Sequence, residues 1–364
     1  IVDKDGNVGE MNEYYEDKNP GDITVGKNGE KLDGNTEETA YQIWCIEDLV
    51  KFSQMVNEEN QDFLNKYVVL KTDLNFNSNF SYTNPDTTEF DVYLGGDGNN
   101  SLKEQLSEDG NGFFSIGRNY DTQAFRGSFD GENHIIKNIY INQSSNAGLF
   151  GVSGGGTVYA ANRTKISNLT VEGNIIVGVQ RAGGIVAYAA YGLVIENCHS
   201  KVNINGKAYG VGGIMGVTQA NVNIVNTYNL ANIKGTQWVG GLVGIIEAKV
   251  NIYNSYQVGD ITGSGLVGGV IGRVVSSSTT LRNVYTIGNI SCSSSKGGII
   301  GTLDSDSINI NSNNVYYKKE NGLTGIYNQD DSKFNIIGYG EEEWDSNDIV
   351  QKLNSGRETQ EEGI

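Results

Sequence analysis

The chain has 364 residues, including 49 glycines, and a formal net charge of −18. Hydrophobic residues make up 37% of it, which argues against generic disorder, and the glycines follow no Gly-X-Y period, which excludes collagen. No apolar run approaches the ~20 residues of a membrane span, and the acidity argues against nucleic acids or anionic membranes as partners, because both favour Lys and Arg.

The charge is distributed unevenly along the chain. Residues 1–110 carry a net charge of −16, residues 111–320 carry +5 and residues 321–364 carry −7. The middle of the chain therefore differs physically from its two ends. No basic, apolar segment begins the sequence, so we expect any signal peptide to have been removed or left out. The 3 cysteines include no Cys-x-x-Cys pair, so we expect no zinc ribbon or thioredoxin-like motif.

The first third of the chain is expected to form a cap. Residues 1–38 are an acidic segment, and residues 39–130 include an amphipathic pattern over residues 47–57 that predicts a helix. Residues 75–112 are polar and rich in Gly, Asn and Asp, so we expect a long insertion there, either a binding loop or solvated decoration. We also expect entry coils before residue 131, which lead into the repeats that follow.

A repeat of 28 or 29 residues occupies residues 131–320. Its clearest mark is a pair of glycines followed by two apolar residues. The second glycine of each pair is Gly184, Gly213, Gly241, Gly269 and Gly298. An element with a central asparagine runs in phase with the glycines, at Asn197, Asn226, Asn254 and Asn283, with weaker copies at Asn138 and Asn168.

Each repeat contains three short segments of alternating apolar and polar residues, separated by Gly, Asn and Ser, and this pattern predicts strands. One such coil cannot bury its inner face alone and needs coils above and below it. The sequence therefore predicts an all-β fold, a right-handed parallel β-helix (β-solenoid) of about seven three-strand coils. A small helix-containing cap should precede it, and a short helix should follow it.

Equivalent residues of successive coils should stack on one another. We expect an asparagine ladder, since Asn tolerates left-handed bends and can bond to the Asn above it; its members are Asn138, Asn168, Asn197, Asn226, Asn254 and Asn283. An aromatic row should lie two residues further on, formed by Tyr140, His199, Tyr228, Tyr256 and Tyr285. The glycine pairs supply the bends or the close backbone contacts between strands.

Residues 321–364 are expected to close the other end of the solenoid. Ile349, Val350 and Leu353 fall on one face of residues 347–354, which predicts a short helix. Caps are needed because the open ends of a solenoid present unpaired strand groups that promote polymerisation. With both ends capped, we expect a monomer.

The glycine element resembles the repeat of the GLUG family, whose Gly-Gly-Leu-Val-Gly pattern stands here at residues 240–244. The stretch over residues 129–136 resembles the usual lead-in of such proteins, and the resemblance spans roughly residues 39–320. It implies a β-helix module of a large secreted or surface-attached bacterial protein, with a host glycan or an extracellular protein as partner. Similar modules occur in adhesins and beside immunoglobulin A1 protease-type metallopeptidase domains.

Few residues indicate catalysis. The histidines His134 and His199 form no His-Glu-x-x-His zinc motif, and we expect both to be structural. A polysaccharide lyase or hydrolase needs clustered carboxylates. The carboxylates of the repeat body instead fall at dissimilar repeat positions, at Glu172, Glu196, Glu247, Asp260, Asp304 and Asp306. We therefore expect no catalytic residue, cofactor or metal, and a carbohydrate-active enzyme is the less favoured alternative.

Two aromatic residues lie in the bends just before a glycine pair. If exposed, Tyr209 and Trp238 could stack on sugar rings, and partial burial in the bend is the other interpretation. The sequence thus leaves three hypotheses open. The favoured one is an extracellular bacterial module for adhesion or ligand presentation, and the others are a carbohydrate-active enzyme and a non-binding spacer.

Overall fold

The computed structural model describes residues 19–77, 105–106, 108, 110–119, 122–155, 164–275, 278–320 and 322–340. These residues form a parallel β-solenoid of about eight turns with one short helix. The predicted fold class is therefore confirmed. The turn beyond the seven predicted lies at the start of the solenoid, where the strand that begins at Tyr67 pairs with the strand that begins at Ser128. The predicted helix over residues 347–354 lies outside the described residues.

Helix α1 spans Ile46–Asn57, and a 3-10 helix spans Asp331–Lys333. The strands, in chain order, are β1 (Tyr41–Ile43), β2 (Tyr67–Leu70), β3 (Leu74–Asn75), β4 (Ser128–Asp130), β5 (Ile135–Ala147), β6 (Phe150–Ser153), β7 (Thr164–Gly183), β8 (Val186–Ala189), β9 (Leu193–Gly206), β10 (Tyr209–Gly212), β11 (Met215–Thr218), β12 (Val222–Val225), β13 (Tyr228–Asn229), β14 (Ile233–Lys234), β15 (Gln237–Gly240), β16 (Val243–Ile246), β17 (Val250–Gln257), β18 (Ile261–Gly263), β19 (Leu266–Gly268), β20 (Ile271–Val274), β21 (Thr279–Thr286), β22 (Ile290–Cys292), β23 (Ser295–Gly297), β24 (Ile310–Lys318) and β25 (Ile336–Tyr339).

The pairings between coils divide the regular coils into four flanks. Flank 1 contains β1, β2, β4, the first parts of β7 and β9, and then β12, β13, β17, β21, β24 and β25. Flank 2 contains β3, most of β5, the later parts of β7 and β9, β14, β18 and β22. Flank 3 contains the ends of β5 and β7, β10, β15, β19 and β23, and flank 4 contains β6, β8, β11, β16 and β20. The structure thus has one short strand per coil more than the three predicted, because the segment just before the glycine pair forms its own ladder on flank 3.

The pairing register follows the period of the sequence. Equivalent apolar residues, 28 or 29 positions apart, are ladder partners in four successive coils: Ile195, Ile224, Ile252 and Leu281. Their side chains are fully buried and belong to one continuous hydrophobic core. Each coil therefore buries its inner face against its neighbours, as a solenoid requires.

The second glycine of each pair makes room for a side chain that crosses the interior from flank 1. An ideal Cβ on Gly241 would lie 2.5 Å from Gln257 Cγ and 2.2 Å from the carbonyl oxygen of Gly269. The side chains that face these glycines form one interior column: Ser200, Asn229, Gln257, Thr286 and Tyr317. Within it, Asn229 Nδ2 donates to Gln257 Oε1 at 2.7 Å. The glycine pair is therefore a packing requirement as well as a bend.

The helix packs on the first coils. It begins one residue before the predicted span, and its N-cap residue, Cys45, makes no side-chain capping bond. Asp48, in the first turn, connects the helix to the chain before it, because its carboxylate accepts hydrogen bonds from the backbone N–H groups of Gly21 and Trp44, both at 2.8 Å. The apolar side chains of α1 join the same core as the coils. No helix in the described ranges is both long and apolar enough to cross a membrane.

Residues 322–340 close the last coil. The carbonyl oxygen of Gly325 accepts hydrogen bonds from the N–H groups of Ile299 and Ile300, at 2.7 and 2.9 Å. The hydroxyl of Tyr317 donates to the carbonyl oxygen of Leu323 at 3.1 Å. The first two bonds use backbone N–H groups that a following coil would otherwise satisfy. The acidic segment over residues 1–18 and most of the expected insertion over residues 75–112 lie outside the described residues, although Asn75 itself belongs to β3.

We predict that Gly241→Ala destabilises the solenoid, because the new methyl group must displace Gln257 and the adjacent backbone. Such overpacking costs about 1–3 kcal/mol, measurable as a lower free energy of unfolding in urea. Gly178→Ala is the control, since its Cβ would lie 3.3 Å or more from its neighbours. Equal stability of the two variants would contradict the packing role of the glycine pair.

Candidate functional site

An asparagine ladder runs along the outside of flank 1. In each step the side-chain Nδ2 of one residue donates to the Oδ1 of its equivalent in the preceding coil, over 2.8–3.1 Å. Its members are Asn168, Asn197, Asn226, Asn254, Asn283 and Asn314. Each has a left-handed backbone, with φ between 48° and 54°. Asparagine therefore serves twice, by tolerating the bend and by bonding to its copies.

The ladder differs from the predicted one at both ends. Asn138 lies outside it and donates to Asn75 Oδ1 at 2.7 Å, because β5 pairs with the part of β7 from Thr170 onward and therefore lies on flank 2. Asp130 takes the first position, where its carboxylate accepts the bond from the first ladder asparagine at 3.0 Å. Asn314 extends the ladder by one coil at the other end.

We predict that two substitutions separate the contributions of Asn254. Asn254→Ala loses both ladder bonds and strains the left-handed bend, which together cost about 2 kcal/mol. Asn254→Gly keeps the bend and loses only the bonds, so it should cost about 1 kcal/mol less. Chemical denaturation measures both values, and equal losses would exclude a contribution from the bend.

An aromatic row lies beside the ladder. Its rings stack almost in parallel, with centroid distances of 3.9, 4.9 and 4.8 Å, through His199, Tyr228, Tyr256 and Tyr285. Tyr140 was expected in this row and is not in it, because β5 places it opposite Asn174. Thr170 holds that position instead, with its hydroxyl oxygen 3.3 Å from His199 Nδ1. Within the row, neighbouring rings face one another, which leaves mainly ring edges for a sugar.

Burial changes the acid–base properties of the row. It raises the pKa of Tyr285 to about 12. Burial, together with nearby Lys201, lowers the pKa of His199 below its ordinary value of 6.5. The unfolded chain therefore binds a proton at this position more readily than the folded chain does. His199 consequently lowers the stability of the fold as the pH falls below about 6.5.

We predict that His199→Tyr, which installs the residue found at this position in later coils, reduces the loss of stability on acidification. The difference in melting temperature between pH 7.5 and pH 5.5 should be smaller for the variant than for the original chain. Tyrosine carries no proton-binding base in this range and can stack on Tyr228. An unchanged difference would show that His199 does not contribute to the pH dependence.

The two aromatic residues singled out in the sequence meet on the corner between flanks 3 and 4. The rings of Tyr209 and Trp238 form an edge-to-face pair with centroids 5.5 Å apart and an interplanar angle of 85°. Both rings are half-buried and pack on a small second apolar cluster, which includes Val217 and Ile245. The structure therefore places both rings in the bend, packed against this cluster and partly exposed.

Trp238 occupies an unusual backbone position that it shares with equivalent residues of other coils. Arg181, Gly210 and Trp238 each stand just before a ladder residue of flank 3, and all have positive φ values, of 53°, 70° and 53°. Bulky side chains rarely adopt this conformation, and where they do the surroundings must enforce it. Gly210 shows the unstrained solution, and a side chain there would also meet Val217.

Arginine side chains flank the aromatic pair. The guanidinium carbon of Arg273 lies 4.6 Å above the Trp238 ring, and that of Arg181 lies 4.1 Å above the ring of Tyr188. Such cation–π contacts fix both the ring and the cation. We name this set the aromatic–arginine corner: Arg181, Tyr188, Tyr209, Trp238 and Arg273.

The two arginines differ in charge compensation. Arg273 donates to both carboxylate oxygens of Asp304, at 2.8 and 2.6 Å. Arg181 donates to Asn146 Oδ1 at 3.4 Å, and within the described part of the chain no carboxylate forms a salt bridge with it. Among the described carboxylates, Asp304 therefore compensates the cation at one end of the corner, and none forms a salt bridge with the cation at the other end.

The sequence analysis missed Arg181. A signal was present, because Arg181-Ala-Gly-Gly, Gly210-Val-Gly-Gly and Trp238-Val-Gly-Gly align on the glycine pair. Aligning the residue two places before each pair would have brought Arg181 and Trp238 to the same corner. Arg181 contacts the aromatic ring of Tyr188 on flank 4, and Trp238 contacts the cation of Arg273 there. These contacts do not recur with the repeat, so aligning the repeats could not reveal them.

The structure disperses the remaining candidate groups. Several carboxylates of the repeat body have a basic or amide partner: Glu172 with Lys201, Glu196 with Lys165, Asp260 with Asn289, Asp304 with Arg273 and Asp306 with Gln329. Among the described residues, no group of three or more His, Cys, Asp or Glu side chains is placed to hold a metal ion. Burial raises the pKa of Cys198 to about 12, which keeps that thiol protonated near neutral pH.

Comparison with known proteins gives a likeness of fold. No family model matches the sequence, and no curated protein matches it. The crystal structure of a "putative immunoglobulin A1 protease" from Bacteroides ovatus is similar, with a TM-score of 0.55 and 18% sequence identity, over 88% of this chain and 90% of that chain. The two chains share a fold. At this identity the similarity extends to the β-helix architecture and not to an activity.

Proposed function

We propose that this chain is an extracellular β-helix module of a bacterial surface protein, and that it binds a host glycan through the aromatic–arginine corner. The resemblance to GLUG repeats supports the extracellular, surface-protein setting. The rarity of carboxylate clusters in the repeat body favours binding over catalysis. The likeness to the Bacteroides ovatus structure is consistent with this setting. The site itself is supported by the geometry of the corner.

The observation that carries the proposal is the conformation of Trp238. A left-handed backbone costs a residue with a side chain about 1–2 kcal/mol, and the equivalent residue of the preceding coil avoids this cost by being glycine. Strain of this kind concentrates at functional sites. Here it presents a half-exposed indole beside a tyrosine, an arrangement that can stack on the apolar face of a sugar.

The two alternatives explain less of the structure. A hydrolase or lyase would need carboxylates that converge on one substrate, and the described carboxylates are instead paired with bases and amides on separate flanks. A spacer needs only the core, the glycine pairs and the ladder. It gives no reason for a strained tryptophan stacked on an arginine at the surface.

We predict that Trp238→Asn weakens glycan binding at least tenfold on a glycan array and in calorimetry. Asparagine occupies the equivalent place at position 146 with a φ of 53°, so the backbone should persist while the indole is lost. Tyr253→Ala, a half-buried tyrosine on flank 1, is the matched control and should bind like the original chain.

The same experiment discriminates between the hypotheses. Binding that survives Trp238→Asn unchanged would contradict the assignment of the corner. Binding to host matrix proteins alone would replace the glycan with a protein ligand. Release of shorter sugars from the arrayed glycans would favour the enzyme, and no binding or turnover on any probe would leave the spacer.

A further inference from the structure

We propose that the aromatic–arginine corner selects glycans that carry a carboxylate, and that Arg181 is the residue that binds this group. The inference deepens the proposed function and rests on it, because it assumes that a sugar lies on Tyr209 and Trp238. It adds the chemical class of the ligand and names the residue that determines specificity.

Arg181 has donors to spare. A guanidinium presents five N–H donors in a planar fork that matches a carboxylate. In the described structure one nitrogen of Arg181 bonds to Asn146 Oδ1 at 3.4 Å, and no salt bridge uses the others. The remaining donors can therefore form charge-assisted hydrogen bonds, the stronger class of hydrogen bond.

The cation is also held in place before any ligand arrives. Its guanidinium lies 4.1 Å above the Tyr188 ring, and Tyr188 is itself fixed by a hydrogen bond from its hydroxyl to Gln219. The left-handed backbone of Arg181 sets the direction in which the side chain leaves the strand. A group that is already ordered loses less entropy when it binds, so preorganisation favours affinity.

The spacing suits one acidic sugar. Arg181 and Trp238 stand at equivalent positions two coils apart, which corresponds to about 10 Å along the solenoid axis. Gly210, at the same position in the coil between them, contributes no side chain. A sugar ring stacked on Tyr209 or Trp238 can therefore direct a ring carboxylate towards Arg181, because no side chain at position 210 stands between them.

The two ends of the aromatic–arginine corner differ in charge. At the Trp238 end, Asp304 compensates the charge of Arg273, so that end suits the neutral part of a sugar. At the Arg181 end the positive charge is uncompensated by any described carboxylate. Residues 111–320 carry a net charge of +5, although the whole chain carries −18, so an anionic ligand approaches the least acidic part of the chain.

The test uses matched acidic and neutral probes on the full chain: trigalacturonic acid with its methyl ester, and 3′-sialyllactose with lactose. The original chain should bind the acidic member of at least one pair about tenfold more tightly than the neutral member. Arg181→Asn, again the residue found at position 146, should bring the two affinities within about twofold of each other. Raising the salt concentration should reduce the preference of the original chain, since screening weakens a partly exposed charge pair.

Arg282→Gln removes an exposed arginine from flank 1 and is the matched control. It should leave the acidic preference intact. Melting temperatures of all variants verify that they fold. A spectroscopic check on Tyr188, whose ring loses its cation, verifies that Arg181→Asn acts at the intended place.

The outcomes separate the two proposals. If the original chain shows no acidic preference, or if Arg181→Asn retains it, the role of Arg181 is wrong while the corner can still be the sugar site. If Trp238→Asn weakens neither member of a pair, the corner is not the site and both proposals fail. If a sulfated oligosaccharide is preferred and the carboxylated probes are not, the carboxylate class is overturned.

Discussion

The structure depends on the in-register pairing of equivalent residues in successive coils. Partners in the parallel ladders lie 28 or 29 residues apart in the sequence, so each residue of a regular strand pairs with its equivalents in the neighbouring coils. Once this register is set, a single favourable choice is repeated in each coil: an apolar side chain inside, a glycine where backbones approach, or an asparagine at a bend. Stability is then a sum of similar interfaces between neighbours. The aromatic–arginine corner exists only because this stacking aligns flanks 3 and 4 along the whole rod.

The same constraint explains what the sequence could predict. Where the period is regular, between Asn197 and Asn283, the expected ladder and aromatic row are the observed ones. The core strands and α1 were also accessible, because alternation and helical periodicity are local signals. The fold class follows from these signals together, since three short strands in every 28 or 29 residues suit one coil of a parallel solenoid.

The differences arise where the period is broken. Asn138 and Tyr140 lie outside their expected columns because β5 pairs with the second part of β7, on flank 2, although its sequence resembles a weak copy of the flank 1 element. The additional coil was hidden because a long insertion separates β2 from the rest of its turn. At α1, the hydrogen bonds of Asp48 with Gly21 and Trp44 connect the helix to the chain before it, and helical periodicity alone does not detect them. Arg181 was hidden for a related reason, because its role depends on a contact between flanks.

The proposed binding site lies where the repeat departs from its own rule. Most bends use glycine or asparagine, which adopt left-handed conformations at little cost. Arg181 and Trp238 are two bulky exceptions on one corner, and each lies against an aromatic or cationic partner. The most direct test is a crystal structure of the chain soaked at saturating concentration with the acidic probe that it binds more tightly, trigalacturonic acid or 3′-sialyllactose. The account predicts a sugar ring on Tyr209 or Trp238 with a carboxylate within hydrogen-bond distance of the Arg181 guanidinium. A sugar ordered on another flank, with the corner empty, would contradict it.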